Sequence, residues 1–413
     1  MTPRRAELLA IGSELLGPER LDTNGSFLSR FLGERGIAVR FRTIVGDDPD
    51  DLRDAFALAL QRSDLIVATG GLGPTVDDLT REAVAGLLGL PLLEDAGILA
   101  DIEARFRRHG YVMPEQNRRQ AQVPRGAMVL PNRLGTAPGL MIDQAGRLLV
   151  LLPGVPSEMR QIVEESLLPR LPPTGERFAW RVYKIAGLTE SEVDRRLLEV
   201  HRTAGAVAWT ILASPGQIEI HLRERIAEAA APSGIEKLEV GIVAALGTHL
   251  FGRDEETLEL VVGRMLRERA ATLAVAESLT GGSVARRLAS IPGASAYFRG
   301  GAVCYSDDAK RVLCGVRPET LAAHGAVSAE VALEMASGVR GRLDAGWGLA
   351  TTGFAGPEAG DADRPPGTLF LGLSGPDVQL TRSMRLPGDR SLVQERSTQA
   401  ALDLLRRALL GAA

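Results

Sequence analysis

The 413-residue chain predicts an α/β protein: two layered units, each a parallel or mixed sheet covered on both faces by helices, joined by a smaller α+β unit. Two observations carry that expectation. Short apolar runs alternate with amphipathic stretches from residue 5 to about 172, and the same alternation resumes after about 253. Glycine-rich turns also stand where apolar runs give way to helical periodicity. In the first segment, residues 6–11, 37–45, 64–69, 140–142 and 148–152 read as strands. Residues 24–34, 49–61, 77–88 and 156–168 read as helices. The run Leu171-Pro172-Pro173-Thr174-Gly175 breaks the pattern and sets a boundary, giving a first domain of residues 1–172.

The middle domain, residues 173–252, reads as strands at 181–186, 207–212 and 218–222 with helices at 190–200 and 233–246. Pro215-Gly216 is a hairpin turn between its last two strands. It holds no cluster of catalytic residue types and is assigned a spacer or assembly role. The third domain, residues 253–413, opens with a helix at 255–269. Strands follow at 272–276, 300–305, 347–352, 368–373 and 379–386, and helices at 282–290, 329–343 and 391–410.

Composition narrows the function. A net charge of -4 and 4% aromatic residues supply neither a basic field nor a stacking platform, which argues against direct binding of nucleic acid. No apolar stretch approaches the ~20 residues of a membrane span, and the amino-terminal run lacks a hydrophobic signal region. Two cysteines, Cys304 and Cys314, make no disulfide framework and lack metal-ligand spacing, so a reducing, cytoplasmic location is expected. Cys304 is read as a small buried hydrophobe.

Arginine makes up 45 of the 48 basic residues; only Lys184, Lys237 and Lys310 are lysine. Arginine stays protonated at any working pH and cannot act as a base. Lys310 lies 32 residues after Ser278, which sits in Ala276-Glu277-Ser278-Leu279-Thr280-Gly281-Gly282. A serine before a Gly-Gly helix start and a lysine able to lose its charge when desolvated form a candidate nucleophile and base. The competing reading leaves Lys310 as an exposed survivor of a lysine-poor composition.

Around that pair, the backbone N–H groups of Thr280, Gly281 and Gly282 are candidate oxyanion donors. Tyr305 either orients Lys310, packs on a substrate ring or is one more strand aromatic. Gly353, Ala355 and Gly356 form a second tight loop for substrate. Arg390 is the first candidate for a phosphate and Arg396 a weaker one, against the commoner fate of a solvated arginine. His324 precedes Gly325 at a helix end and is read as a cap.

In the first domain, Gly70-Gly71-Leu72-Gly73-Pro74-Thr75 follows a strand and precedes a helix. Glycines let backbone amides approach a phosphate, and a helix start favours negative charge, so Gly70, Gly71, Gly73 and Thr75 are candidate phosphate contacts. Asn24 lies on the expected ligand edge of the sheet, and Asn117 and Gln120 add amide groups. Asp77 and Asp78 either cap the helix or hold a divalent cation.

Taken together, these blocks resemble a known family. Gly12-Ser13-Glu14-Leu15-Leu16, Asp22-Thr23-Asn24, the 70–80 block and Pro153-Gly154-Val155-Pro156-Ser157-Glu158-Met159 are similar to the molybdopterin-binding-like domain of the CinA (competence/damage-inducible protein A) family. Independently, Glu277 to Gly282, Tyr305-Ser306 through Lys310, His324-Gly325-Ala326-Val327-Ser328 and Thr352-Gly353-Phe354-Ala355-Gly356-Pro357 resemble that family's C-terminal amidase domain.

The resemblance implies a molybdopterin-binding-like first domain that hydrolyses ADP-ribose to AMP and ribose 5-phosphate with a divalent metal such as Mg. It implies a KH-like middle domain, and a C-terminal domain that needs no cofactor and converts nicotinamide mononucleotide to nicotinate mononucleotide and ammonia. It also implies a homodimer. Leu279 and Asp307 depart from the family's commoner cysteine and asparagine, and Gly17-Pro18-Glu19-Arg20 is an unusual connector. No nudix pattern is present, so the ADP-ribose activity rests on the resemblance and the Asp77–Asp78 pair. Two alternatives stay open: an amidase whose first domain binds a pterin or nucleotide without turnover, and a competence or DNA-damage accessory acting through protein partners.

Overall fold

A computed structural model describes residues 5–18, 20–227, 233–357 and 364–412. The chain divides into two compact units, one of residues 1–179 with 225–231, the other of residues 180–224 with 232–413. Most of the middle segment is therefore grouped with the C-terminal part.

The first unit runs β1 (Arg5–Ile11), α1 (Thr23–Gly33), β2 (Ala38–Val45), α2 (Pro49–Arg62), β3 (Leu65–Thr69), α3 (Thr80–Leu88), β4 (Leu92–Glu94), α4 (Ala96–Arg108), β5 (Gln122–Pro124), β6 (Met128–Leu130), β7 (Gly139–Gln144), β8 (Arg147–Leu152) and α5 (Pro156–Ile162). Its sheet has the order β2-β1-β3-β8-β7-β6; the first four strands are parallel, β7 pairs antiparallel with β8, and β6 pairs antiparallel with β7. Period-2 alternation places Leu8, Val67 and Val150 in one core with Leu28 and Leu32 of α1 and Met159 and Ile162 of α5. Leu9, Ile66 and Leu149 face the opposite core with Leu52, Phe56 and Val84 of α2 and α3. Burial on both faces is why these strands read as nearly continuous apolar runs.

A four-stranded sheet of order β10-β11-β9-β12 follows, built from β9 (Glu176–Ala186), β10 (Ala208–Ser214), β11 (Gln217–Ala227) and β12 (Leu250–Arg253), with α6 (Glu190–Arg202) and α7 (Gly234–Leu246). Pro215-Gly216 turns the β10–β11 hairpin, with Ser214 paired to Gln217 and Gly216 at φ 75°. Ser233 and Glu236 close a capping box at the start of α7.

The remaining elements are α8 (Leu258–Glu268), β13 (Leu273–Glu277), α9 (Ser283–Ala289), β14 (Phe298–Val303), α10 (Asp307–Cys314), α11 (Pro318–His324), α12 (Ala329–Arg342), β15 (Trp347–Gly353), β16 (Thr368–Ser374), β17 (Gln379–Arg385) and α13 (Arg390–Leu409). Their sheet has the order β14-β13-β15-β16-β17, parallel from β14 to β15 and antiparallel beyond. Leu273 and Val275 pack with α8, α9 and α13, whereas Ala274 and Ala276 face α12. That helix lies close against the sheet: a Cβ on Gly348 or Gly372 would come within 2.0 Å of the Ala336 or Ala332 carbonyl oxygen.

Three differences from the sequence reading have local causes. Helix α3 starts at Thr80 rather than 77, because the Asp78 side chain folds the preceding loop instead of capping the helix. Helix α4, capped by Asp95, was not anticipated from its mixed polar sequence. Helices α10 and α11 are short, and their few residues present too little periodicity to be read. Among the described residues, no helix is long and apolar enough to cross a membrane.

Candidate functional site

Each layered sheet reverses its winding once, and at each reversal the loops leaving the strands' C-terminal ends open a crevice. In the second unit, β13 lies between β14 and β15. Ser278 follows directly on β13; its N–H donates to the Thr351 carbonyl of β15 at 2.9 Å, so the ladder holds the serine in place. Tyr305 follows β14, Gly353 ends β15, and Lys310 lies one turn into α10.

Ser278, Tyr305, Asp307, Lys310, Gly353, Ala355, Gly356 and Arg390 all line one cavity of about 470 Å³. The structure thus brings together the serine, the lysine, the tyrosine, the second glycine loop and the first-choice arginine. Lys310 is 2% exposed. Burial pushes its amine below the ordinary lysine value of 10.5, and Asp307, 3.8 Å away, opposes that shift only in part. The buried thiols of Cys304 and Cys314 lie 3.2 Å apart and are free. Their mutual hydrogen bond lowers the Cys304 pKa and raises that of Cys314.

The oxyanion expectation needs correcting. Helix α9 begins at a Gly282 in the left-handed region, with no capping side chain of its own. The carboxylate of Glu277, 1% exposed, does that work: Oε2 accepts from Thr280 Oγ1 (2.7 Å), Gly282 N (3.0 Å) and Val284 N (3.0 Å), and Oε1 from Ala285 N (2.8 Å). The Gly281 amide donates to the Ser278 carbonyl at 3.1 Å. The N–H groups of Gly281 and Gly282 are therefore spent, which leaves those of Leu279 and Thr280 as the donors nearest Ser278 in the chain.

The two arginines also separate. Arg390 lines the cavity and donates to the Tyr305 hydroxyl (2.5 Å) and the Gly356 carbonyl (3.0 Å). Arg396 instead donates to the Pro387 carbonyl and does not line the cavity. Tyr305 is 60% exposed, so it is no core aromatic. His324 ends α11 and lies 3.7 Å from Glu330, away from the cavity lining. Gln394 went unnoticed in the sequence: from α13 its side-chain amide holds the Leu279 carbonyl at 2.8 Å and so fixes the loop that follows Ser278.

In the first unit the crevice lies past β1 and β3. Gly70 has φ 107°, and a Cβ there would meet the Ile11 carbonyl oxygen at 2.1 Å; Gly71 has φ 64°. These strained turns need glycine. Thr80 Oγ1 donates to the Gly70 carbonyl at 2.9 Å, and the buried Arg81 donates to the carbonyls of Leu72 (2.7 Å) and Gly73 (3.1 Å). Asp78 accepts from Gly73 N (2.8 Å), Thr75 N (2.8 Å) and Thr75 Oγ1 (2.5 Å). It is the latch of the loop, and neither Thr80 nor Arg81 had been singled out for that task.

Gly70, Gly71, Gly73, Thr75, Asp77 and Asp78 line a cavity of about 540 Å³, together with Glu14, Asp47, Glu158 and Arg20. Asn24 and Asn117 are not part of that lining. Asn24 braces the Gly154 carbonyl at 2.8 Å, with its own Oδ1 left without a partner, and Asn117 pairs with Gln120 at 3.0 Å. Among the described residues, no three His, Cys, Asp or Glu side chains converge as metal ligands.

Comparison with known proteins gives a model of the CinA C-terminal domain matching residues 255–409 and a model described as a probable molybdopterin binding domain matching residues 7–173. A CinA-like protein of Frankia casuarinae is 45% identical, the match covering 98% of this chain and 96% of that protein. A putative competence-damage inducible protein of Symbiobacterium thermophilum is 43% identical over 98% of this chain and 99% of its own. The chain belongs to the CinA family. A crystal structure of the CinA protein of Thermoplasma acidophilum, 35% identical, covers 41% of this chain and 98% of its own length with a TM-score of 0.39. The CinA C-terminal match contains the whole lining of the serine–lysine cavity. The molybdopterin-binding match contains the whole lining of the glycine-rich cavity, and residues 174–254 lie outside both.

Proposed function

We propose that the C-terminal cavity hydrolyses the carboxamide of nicotinamide mononucleotide to nicotinate mononucleotide and ammonia. The observation that carries this reading is a lysine 2% exposed, its amine held below the ordinary value, on the same cavity as a serine fixed at a strand end. A neutral amine can take the Ser278 hydroxyl proton as Oγ attacks the carboxamide carbon. The amides of Leu279 and Thr280 are the donors at hand for the negative oxygen that forms. The protonated Lys310 then gives its proton to the departing nitrogen, the C–N bond breaks and ammonia leaves a Ser278 ester. Water attacks that ester with Lys310 again accepting the proton; Lys310 returns it to Ser278 Oγ as the acyl C–O bond breaks, and the acid product leaves as the carboxylate, its proton passing to solvent.

Arg390, hydrogen-bonded to Tyr305 and Gly356 on the cavity lining, would pair with the ribose phosphate, and the exposed Tyr305 ring would lie along the base. The test is ammonia release from nicotinamide mononucleotide by purified protein and by Ser278→Ala, without added metal. Turnover by the alanine variant equal to that of the parent defeats the proposal.

For the first unit, we infer hydrolysis of ADP-ribose to AMP and ribose 5-phosphate. The supporting observation is a glycine loop at the sheet's switch point whose lining is rich in carboxylates. With Asp78 spent on the loop, the residues do not make an all-protein cage. They fit a hard cation held by the exposed Asp77 and completed by phosphate oxygens and water, as Mg²⁺ prefers. Such a cation would neutralise the diphosphate. ADP-ribose turnover with and without divalent metal tests this reading separately from the amidase.

A further inference from the structure

Next to the glycine-rich cavity, and sharing Thr136 with it, lies a groove of about 610 Å³ between α4 and the 131–138 loop. The two differ in charge. Among the described residues, the glycine-rich cavity is lined by five carboxylates, Glu14, Asp47, Asp77, Asp78 and Glu158, against the single guanidinium of Arg20. The groove presents three guanidiniums, Arg105, Arg108 and Arg133, against the single carboxylate of Asp101. A doubly charged phosphate placed among five carboxylates is repelled unless a cation accompanies it, whereas among the three arginines of the adjoining groove the interaction is attractive.

The arginines also differ in how they are held. Arg105 is pinned by the loop it faces, donating to the carbonyls of Leu134 (2.6 Å) and Arg133 (2.8 Å). Arg133 is 75% exposed at its side chain and lies 3.3 Å from Glu165. Arg108, exposed at the last turn of α4, has no ion-pair or hydrogen-bond partner among the described residues. Packing and ion pairing thus account for Arg105 and in part for Arg133, but not for the third charge aimed at the same space.

We propose that this groove is a phosphomonoester subsite: it holds the phosphate of a nucleoside monophosphate whose sugar and base reach past Thr136 into the acidic, glycine-rich cavity. Arg108 and Arg133 make the charge-assisted contacts, and no divalent cation is needed. The inference rests on the proposed reading only in taking the first unit's ligand to be a nucleotide. On that reading, the subsite is where the monophosphate product is held after the diphosphate is cut.

The experiment is calorimetric titration of the full chain with AMP and with adenosine, in buffer containing a chelator. AMP binds the parent protein at least about 10-fold more tightly than adenosine, the gain of a charge-assisted pair. Arg108→Ala and Arg133→Ala each weaken AMP by about 10-fold, leave adenosine unchanged, and flatten the dependence of AMP affinity on salt. Both side chains are solvent-facing, so the variants fold, as an unchanged melting temperature confirms. Failure of AMP to bind, equal affinity for AMP and adenosine, or AMP affinity indifferent to both substitutions overturns the subsite. Turnover of ADP-ribose with metal is measured on the same samples. Absence of turnover with arginine-dependent AMP binding retained sinks the hydrolysis and leaves the subsite standing.

Discussion

Replacing Glu277 tests whether the turn after Ser278 is built from inside the core. Its carboxylate is 1% exposed and satisfies four donors: one hydroxyl and the three amides of Gly282, Val284 and Ala285 that α9 leaves without intrahelical partners. Glu277→Gln keeps the volume and one acceptor oxygen but turns an NH₂ group toward backbone N–H donors. With the amide oxygen kept on the three donors that Oε2 serves, the NH₂ group faces the Ala285 N–H, and losing that bond while opposing a donor with a donor costs roughly 2–3 kcal/mol. Glu277→Ala strands all four donors and leaves a cavity, at roughly 4–5 kcal/mol. For a unit of this size, the glutamine variant lowers the melting transition of the second unit by about 4–12 °C. Circular dichroism of the full chain against temperature, with ammonia release from nicotinamide mononucleotide on the same samples, reads both consequences. Amidase turnover falls with Glu277→Gln at temperatures where the fold persists, because Ser278 is the next residue. A glutamine variant with the parent's melting curve and turnover refutes the reasoning.

Arg390→Ala raises the KM for nicotinamide mononucleotide about 10-fold or more with a smaller change in kcat, as loss of a charge-assisted phosphate contact should, whereas Arg396→Ala leaves both unchanged. Asp78→Asn removes acceptor capacity from the latch at Gly73 and Thr75 and destabilises the first unit by about 1–2 kcal/mol, seen as a lower first melting transition with amidase activity intact. The amidase pH profile rises on its acidic side through a pKa below 10.5, since only the neutral Lys310 accepts a proton; a limb at the ordinary lysine value contradicts the burial argument. Stability follows the same sign. Between the lowered folded pKa and about 10.5 the unfolded chain binds the proton that folded Lys310 has lost, so stability rises with pH across that window, and Lys310→Met abolishes this rise in denaturant titrations.

That Ser278 and Lys310 line one cavity was legible because their signals are local and chemical: a strand running into Ser-Leu-Thr-Gly-Gly, and a rare lysine among arginines. The alternation of Leu8 with Leu9 and of Leu65 with Ile66 gave the layered sheets for the same reason, since a two-sided core writes its period into the sequence. What stayed hidden depends on contacts that no spacing encodes. Asp78 resembles a helix cap until its reach back to Gly73 is seen. Gln394 is 115 residues from the Leu279 carbonyl it holds. The Gly282 amide looked free for an oxyanion because Glu277, adjacent to the serine, carried no signal that its side chain turns inward to take it. Asn24 and Asn117 were read as phosphate contacts, but neither lines the cavity, and their side-chain NH₂ groups are committed to Gly154 and Gln120.

The central claim is that Lys310 works as a neutral base on Ser278. Lys310→Arg keeps a cation and much of the stem, but its pKa above ~12 prevents it from accepting the serine's proton. Ammonia release from nicotinamide mononucleotide by this variant, on protein whose fold and ADP-ribose binding match the parent's, should fall by about 100- to 10,000-fold. Near-parental turnover by folded Lys310→Arg would contradict the dyad.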